Sequence, residues 1–146
     1  CVFQRFNLIP YLNAIDNIGL ASTFSAGGNA QWRDEASALL SALMIEQSDW
    51  VKPTSNLSMG QQQRVAIARS LVNDPVMILA DEATGNLDTR TSYEIMSLFQ
   101  ELNAQGITIT FVTHEPDIAT FSSRTLVLKD GNIIKDEKNI KIGKVH

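Results

Sequence analysis

"VMILADEATGNLD", residues 76–88, decides the fold. It opens as an unbroken apolar run, residues 76–80, and stops on two adjacent acids, Asp81 and Glu82. Such a short, continuous run reads as a strand covered on both faces of a parallel sheet. In open parallel sheets, ligands gather beyond the carboxyl ends of the strands, so both acids stand where a ligand would sit. Side chains alternate along a strand, which points the two carboxylates differently and suits them to two tasks. One can hold a hydrated Mg²⁺ while the other orients a water. A plain polar strand end is the competing reading of an acid pair taken alone.

Downstream, "TSYEIMSLFQELNAQG" (residues 91–106) places Ile95, Leu98, Phe99 and Leu102 on one helical face, with Gly106 as the stop. "ITITFV" (residues 107–112) is a second buried strand. Strand, helix, strand predicts a parallel crossover. "RTLVLKDGNIIKD" (residues 124–136) is a hairpin closing on Asp130-Gly131. The tail "KNIKIGKVH" is expected to be frayed or cut short.

Upstream lies "LSMGQQQRVAIARSL", residues 57–71. Ser58 and Gln61 form S-x-x-Q, a capping box. Val65, Ile67, Ala68, Leu71 and Val72 then give the helix an apolar side. With the small Gly60 beside the serine, the same N–H groups suit a phosphate, and capping and phosphate binding both stay open. "RDEASALLSALMIEQ" (residues 33–47) carries Ala36, Leu39, Leu40, Leu43 and Met44 at helical spacing, with Asp34 and Glu35 in the first turn. Gly27-Gly28 and "SDWVKPTSN" (residues 48–56) mark loops. Pro10 marks a turn, and Asn13 with Asp16 marks a helix start. Residues 12–72 therefore read as helical, without a strand. The opening "CVFQRF" has no initiator Met, and Val2-Phe3 reads as the end of a strand already under way. The N-terminal part of a larger domain is expected before Cys1.

The 146 residues suffice for one domain with a real core, and 44% hydrophobic with 19% charged residues is ordinary for a globular chain. The net charge of -4 argues against a nucleic-acid partner, because phosphate backbones are held by clustered Lys and Arg. The single cysteine, Cys1, excludes an internal disulfide and favours a reducing compartment. No apolar run approaches the ~20 residues that span a bilayer, so a membrane link is expected through a partner.

His114, in "FVTHE" after the second strand, can donate to charge developing on a phosphate or serve as a structural histidine. Gln4, after the opening strand, offers a neutral amide to a metal shell or to solvent. In this order the motifs resemble one family, the ATP-binding cassette (ABC) transporter ATPases, over essentially the whole chain. Gln4 in "VFQRFNLIP" matches the Q-loop, "LSMGQ" the signature motif, "VMILADE" the Walker B segment, "GNLD" (residues 85–88) the D-loop, and His114 the switch histidine. "GQQQRVAIARSL" with "TGNLD" is most similar to the macrolide-export and lipoprotein-release type. Met59 stands where the family has its first signature glycine, and Ala83 where it has a proline. The first should tighten the fit above the site, and the second should loosen the turn slightly.

The resemblance implies an α/β fold of the P-loop NTPase type. The chain would be a cassette fragment with a parallel sheet core, an inserted helical subdomain and a C-terminal hairpin. Residues 1–11 would be the Q-loop end of the core, 12–72 the helical subdomain, and 73–146 the rest of the ATPase core. It implies ATP and Mg²⁺, with Glu82 polarising water, Asp81 and Gln4 at the metal, and His114 at the γ-phosphate. Ser58, Met59, Gly60 and Gln61 of the signature, with Asp88 of the D-loop, would serve the ATP held by a second, head-to-tail cassette. The signature and the acids, near in sequence, would then serve opposite ATP sites. A transmembrane permease would dock on a helical segment, residues 7–17, placing the protein peripherally at the cytoplasmic face of the inner membrane. No G-x-x-x-x-G-K-[ST] occurs in these residues; the P-loop and the adenine-stacking aromatic are expected before Cys1. A soluble ABC ATPase of DNA repair or translation and an inactive truncated product are the other readings. The short interval between Gln4 and the signature, without sustained heptads, argues against the repair type.

Overall fold

The structure, a computed structural model, describes residues 1–23 and 31–139. The Gly27-Gly28 loop and the tail beyond Asn139 lie outside the described residues. Strands β1 (Val2–Phe3), β2 (Met77–Asp81) and β3 (Thr108–Val112) form a parallel sheet in the order β1-β2-β3. Phe3 pairs with Asp81, and Asp81 with Val112, so all three strands end at one edge. Helices α1 (Ala14–Thr23), α2 (Trp32–Ala42) and α3 (Met59–Leu71) pack on one another, and α4 (Thr89–Ala104) makes the crossover from β2 to β3. A short α5 (Pro116–Ala119) leads to the antiparallel hairpin of β4 (Arg124–Lys129) and β5 (Asn132–Lys138).

Local chemistry explains these boundaries. Asn13 caps α1: its Oδ1 accepts the Asp16 N–H at 2.8 Å, and its Nδ2 donates to the Asp16 carboxylate at 2.8 Å. The buried Asn17 ties down the preceding turn by donating to the Ile9, Leu12 and Asn13 carbonyls and accepting the Ile9 N–H. Gly19 lies flush against the Trp32 ring, where a Cβ would overlap it, and this sets the α1–α2 approach. Gly106, at φ 102°, ends α4 in the left-handed region as expected. Asp130 and Gly131, at φ 50° and 78°, make the hairpin turn, and Arg124 grips Asp136 across it with two bonds of 2.9 and 2.7 Å.

The core runs unbroken from the helices to the sheet. Ile18, Leu40, Val65, Ile67, Ile78, Ile95 and Phe99 are all fully buried in it. Removing each large apolar side chain from water is worth about 1.5–3 kcal/mol. The helical face expected of α4 is the buried one, with Ile95, Leu98, Phe99 and Leu102 inside.

Three expectations need correction. Strands β2 and β3 are not covered on both faces: Ile78 and Ala80 are buried, but Met77 and Leu79 are 55% and 42% exposed. In β3, Ile109 and Phe111 are half-buried while Thr108, Thr110 and Val112 are exposed. Helices cover one face of the sheet, and among the described residues nothing packs on the other. Met44 is 75% exposed rather than in the apolar stripe, because α2 ends at Ala42 and the Met44 backbone turns left-handed at φ 57°. Ile45 fills the core position instead. Finally, residues 7–17 are not a helix throughout: 7–9 are irregular, with Asn7 at φ 50°, 10–12 form a turn, Asn13 makes an isolated antiparallel bridge with Pro53, and the helix starts at Ala14.

Candidate nucleotide site

The acids emerge from the sheet as the register dictates. Asp81 is the last residue of β2 and is exposed. Glu82 adds one more rung, donating its N–H to the Val112 carbonyl at 2.8 Å, and then breaks the strand with φ 47°. A left-handed glutamate costs energy. What it gains is direction, because its Oε1 lies 2.8 Å from Nδ1 of His114. His114 follows the end of β3, so neighbouring parallel strands deliver acid and histidine to the same edge. The histidine is 72% exposed, and a pair so wet contributes little stability. Its value is positional.

Gln4 follows β1 at this edge. Its side chain packs against Gly85, where an added Cβ would meet Nε2 at 2.8 Å. Its carbonyl accepts the Asn86 Nδ2 at 2.9 Å. Gln4, Asp81, Glu82 and His114 thus share the carboxyl end of three neighbouring strands. Among the described residues no group of three or more His, Cys, Asp or Glu is placed to hold a metal. Mg²⁺ keeps several waters and takes one or two carboxylates plus substrate phosphates. Asp81 supplies a hard carboxylate oxygen and Gln4 an amide oxygen, a donor set of the right kind.

The second cluster surrounds the start of α3. The capping box is complete: Ser58 Oγ accepts the Gln61 N–H at 3.2 Å, and Gln61 Oε1 accepts the Ser58 N–H at 3.0 Å. The box does not use the N–H groups of Met59 and Gly60. Met59 sits at the first helical position, 51% exposed. Gln61 also donates through Nε2 to Asp49 at 2.7 Å. Lys52 beside Asp49, helped by that Gln61 bond against partial desolvation, holds the Asp49 carboxyl below the usual aspartate range.

Asp88 caps α4, accepting the Thr91 N–H at 3.0 Å and the Thr91 hydroxyl at 2.6 Å. The Thr91 hydroxyl, and then its N–H, lower the Asp88 pKa. The methyl group of Thr91 faces Gly60, where a Cβ would come within 2.7 Å. The start of α3 and the Asp88 cap of α4 therefore abut through one threonine. Reading by sequence alone misses Asp49, Asn86 and Gln63, whose amide reaches the Ala83 carbonyl at 2.7 Å. Gln63 left a signal: it occupies the same helical row as Ile67 and Leu71, an apolar position held by an amide.

Acids and a histidine at the carboxyl ends of neighbouring parallel strands are the arrangement of an α/β nucleotide-binding fold. The chain belongs to the ABC transporter family, whose family model matches residues 1–85. It is similar to "Macrolide export ATP-binding/permease protein MacB" of Chlorobium phaeobacteroides, with 46% identity over 142 residues, 97% of this chain and 21% of that protein. The "Uncharacterized ABC transporter ATP-binding protein YknY" of Bacillus subtilis is 47% identical over 133 residues, 91% of this chain and 57% of that one. Among solved structures, the ATP-binding cassette MJ0796, in a dimeric post-hydrolysis state bound to ADP and Pi, is 42% identical with a TM-score of 0.79. That match covers 94% of this chain and 61% of MJ0796.

Proposed function

We propose that this chain is part of the nucleotide-binding subunit of an ABC transporter, which hydrolyses ATP to ADP and phosphate to drive a membrane permease. The observation that carries this reading is the 2.8 Å contact of Glu82 with His114 at the carboxyl ends of β2 and β3. Glu82 orients the attacking water and takes its proton. His114 anchors Glu82 and faces the γ-phosphate. Asp81 and Gln4 would hold Mg²⁺, which would neutralise charge on the phosphate oxygens. The N–H groups of Met59 and Gly60, with the Ser58 hydroxyl and Gln61, meet the γ-phosphate of ATP held by a second cassette, and Asp88 lines the same junction. The dimeric state of MJ0796 supports such pairing. Residues 1–11 and 73–146 act as the ATPase core and residues 12–72 as the helical subdomain. The permease docks on residues 7–17, where Tyr11 is 77% exposed. The attachment is peripheral, at the cytoplasmic face of the membrane. No described helix is long and apolar enough to cross a membrane.

Glu82→Gln in the complete cassette tests this. The exchange keeps size and removes the base, and losing a positioned base costs about 10²–10⁴-fold in turnover. ATP-bound dimers should accumulate, as seen by size-exclusion chromatography with Mg-ATP. Near-normal phosphate release by the variant would refute the assignment.

A further inference from the structure

Gln63 is fully buried, yet it is polar and lies in the apolar row of α3. Its Nε2 donates to the Ala83 carbonyl at 2.7 Å. Its Oε1 has no hydrogen-bond partner among the described residues. Leaving a buried acceptor unpaired is unfavourable, so an amide kept as mere core filling is a poor choice beside Leu or Met. What the amide achieves is one specific bond, and the site of that bond is informative. Ala83 directly follows Glu82, whose backbone is left-handed at φ 47°. Such a conformation persists only where its surroundings hold it.

Three further bonds show how the turn is held. Glu82 N–H is fixed to β3 through the Val112 carbonyl at 2.8 Å. The Glu82 carbonyl accepts the Gly85 N–H at 3.0 Å, and the Thr84 carbonyl accepts the Leu87 N–H at 3.0 Å. These bonds lie within the sheet edge or within the turn itself. The Gln63 bond is different, because it ties the turn to α3, the helix whose first turn carries Ser58, Met59 and Gly60. A helix is stiff along its axis, so Gln63 is linked rigidly to that N-terminus.

We propose that Gln63 is a positioning residue that clamps the Glu82–Ala83 turn onto α3. The aim of Glu82 toward His114 then depends on where the signature helix sits. This rests on the reading of Glu82 as the residue that orients water. Gln63 touches no reacting atom; it acts through the Ala83 carbonyl.

The test uses the complete cassette with Gln63→Met, which fills the same space without the donor, and Glu82→Gln in parallel. Loss of one aiming hydrogen bond should lower kcat about tenfold. KM for ATP and Mg-ATP-driven dimerisation should stay at wild-type values, because the signature end is intact. Gln63→Glu keeps the shape but places an oxygen against the carbonyl, and it should lower kcat further. A kcat within about twofold of wild type in either folded variant, while Glu82→Gln is inactive, overturns the inference and leaves the functional reading standing. A fall in kcat, dimerisation and melting temperature together, or misfolding of both variants, assigns Gln63 a purely structural role and also overturns it. Near-normal turnover in Glu82→Gln overturns the functional reading itself, and this inference with it.

Discussion

The Ser58 hydroxyl accepts the Gln61 N–H at 3.2 Å, and it is also the group proposed to meet a phosphate. The two roles separate by substitution. Ser58→Ala removes the cap, which typically costs about 1 kcal/mol. Urea denaturation should show that loss, with hydrolysis reduced but measurable. Ser58→Arg blocks the helix start as well. In the complete cassette it should abolish dimer closure and hydrolysis while ATP binding to the monomer survives. Should both variants lose hydrolysis only in proportion to stability, the serine is a cap and no more. The capping box itself was legible in S-x-x-Q. The Asp49 carboxylate behind Gln61 was not, because no sequence period connects a loop residue to a helix start twelve positions on.

Between elements, α3 approaches the start of α4 closely. A Cβ on Gly60 would meet the Thr91 methyl at 2.7 Å, and the Thr91 hydroxyl is held by Asp88 at 2.6 Å, so the methyl cannot rotate away freely. Gly60→Ala should therefore destabilise the fold by about 1–3 kcal/mol, the usual range for overpacking. Thr91→Ser keeps the bond to Asp88 and removes the methyl, so it should restore most of the loss. A double-mutant cycle by thermal unfolding measures this, and additive effects would contradict the contact. The same cap predicts an acid response. Thr91 depresses the folded-state pKa of Asp88. The stability this provides is present above the unfolded-state pKa and disappears as pH falls through the depressed folded-state value. Asp88→Asn, which still accepts from Thr91, should flatten the acid limb of a plot of melting temperature against pH. An unchanged acid limb would show that other carboxylates dominate.

At the scale of the whole molecule, the described residues clothe the sheet on one face only. Phe3, Met77, Leu79 and Val112 are 38%, 55%, 42% and 52% exposed. Met77 and Leu79 are neighbours on one face of β2, with Phe3 and Val112 on either side of Asp81, and exposed apolar side chains of this kind favour association in water. These 146 residues also contain no G-x-x-x-x-G-K-[ST] to cradle a β-phosphate. By themselves they should bind Mg-ATP no tighter than millimolar, release no phosphate above background, and self-associate. Calorimetry, a phosphate-release assay and light scattering check each point. Micromolar binding by a monodisperse preparation would place the nucleotide elsewhere.

Local order was readable because it is written in local periods. The crossover of β2, α4 and β3, the cap at Asn13, the stop at Gly106 and the Asp130-Gly131 turn all follow from side-chain spacing or from backbone angles that few residues adopt. The acids at the end of β2 were readable too, since a strand that stops on two carboxylates places them at a sheet edge whatever surrounds it. Tertiary structure alone decided the rest. An apolar run shows that a strand is poorly solvated, but not which face a helix covers, so Met77 and Leu79 were assigned to a core they do not enter. Met44 fits a helical stripe by spacing and leaves it because the chain turns left-handed there. Gln63 finds its one partner across the core, and Glu82 finds His114 only because two parallel strands end together. Those contacts join residues distant in sequence, and their geometry exists only once the sheet and its helices have packed.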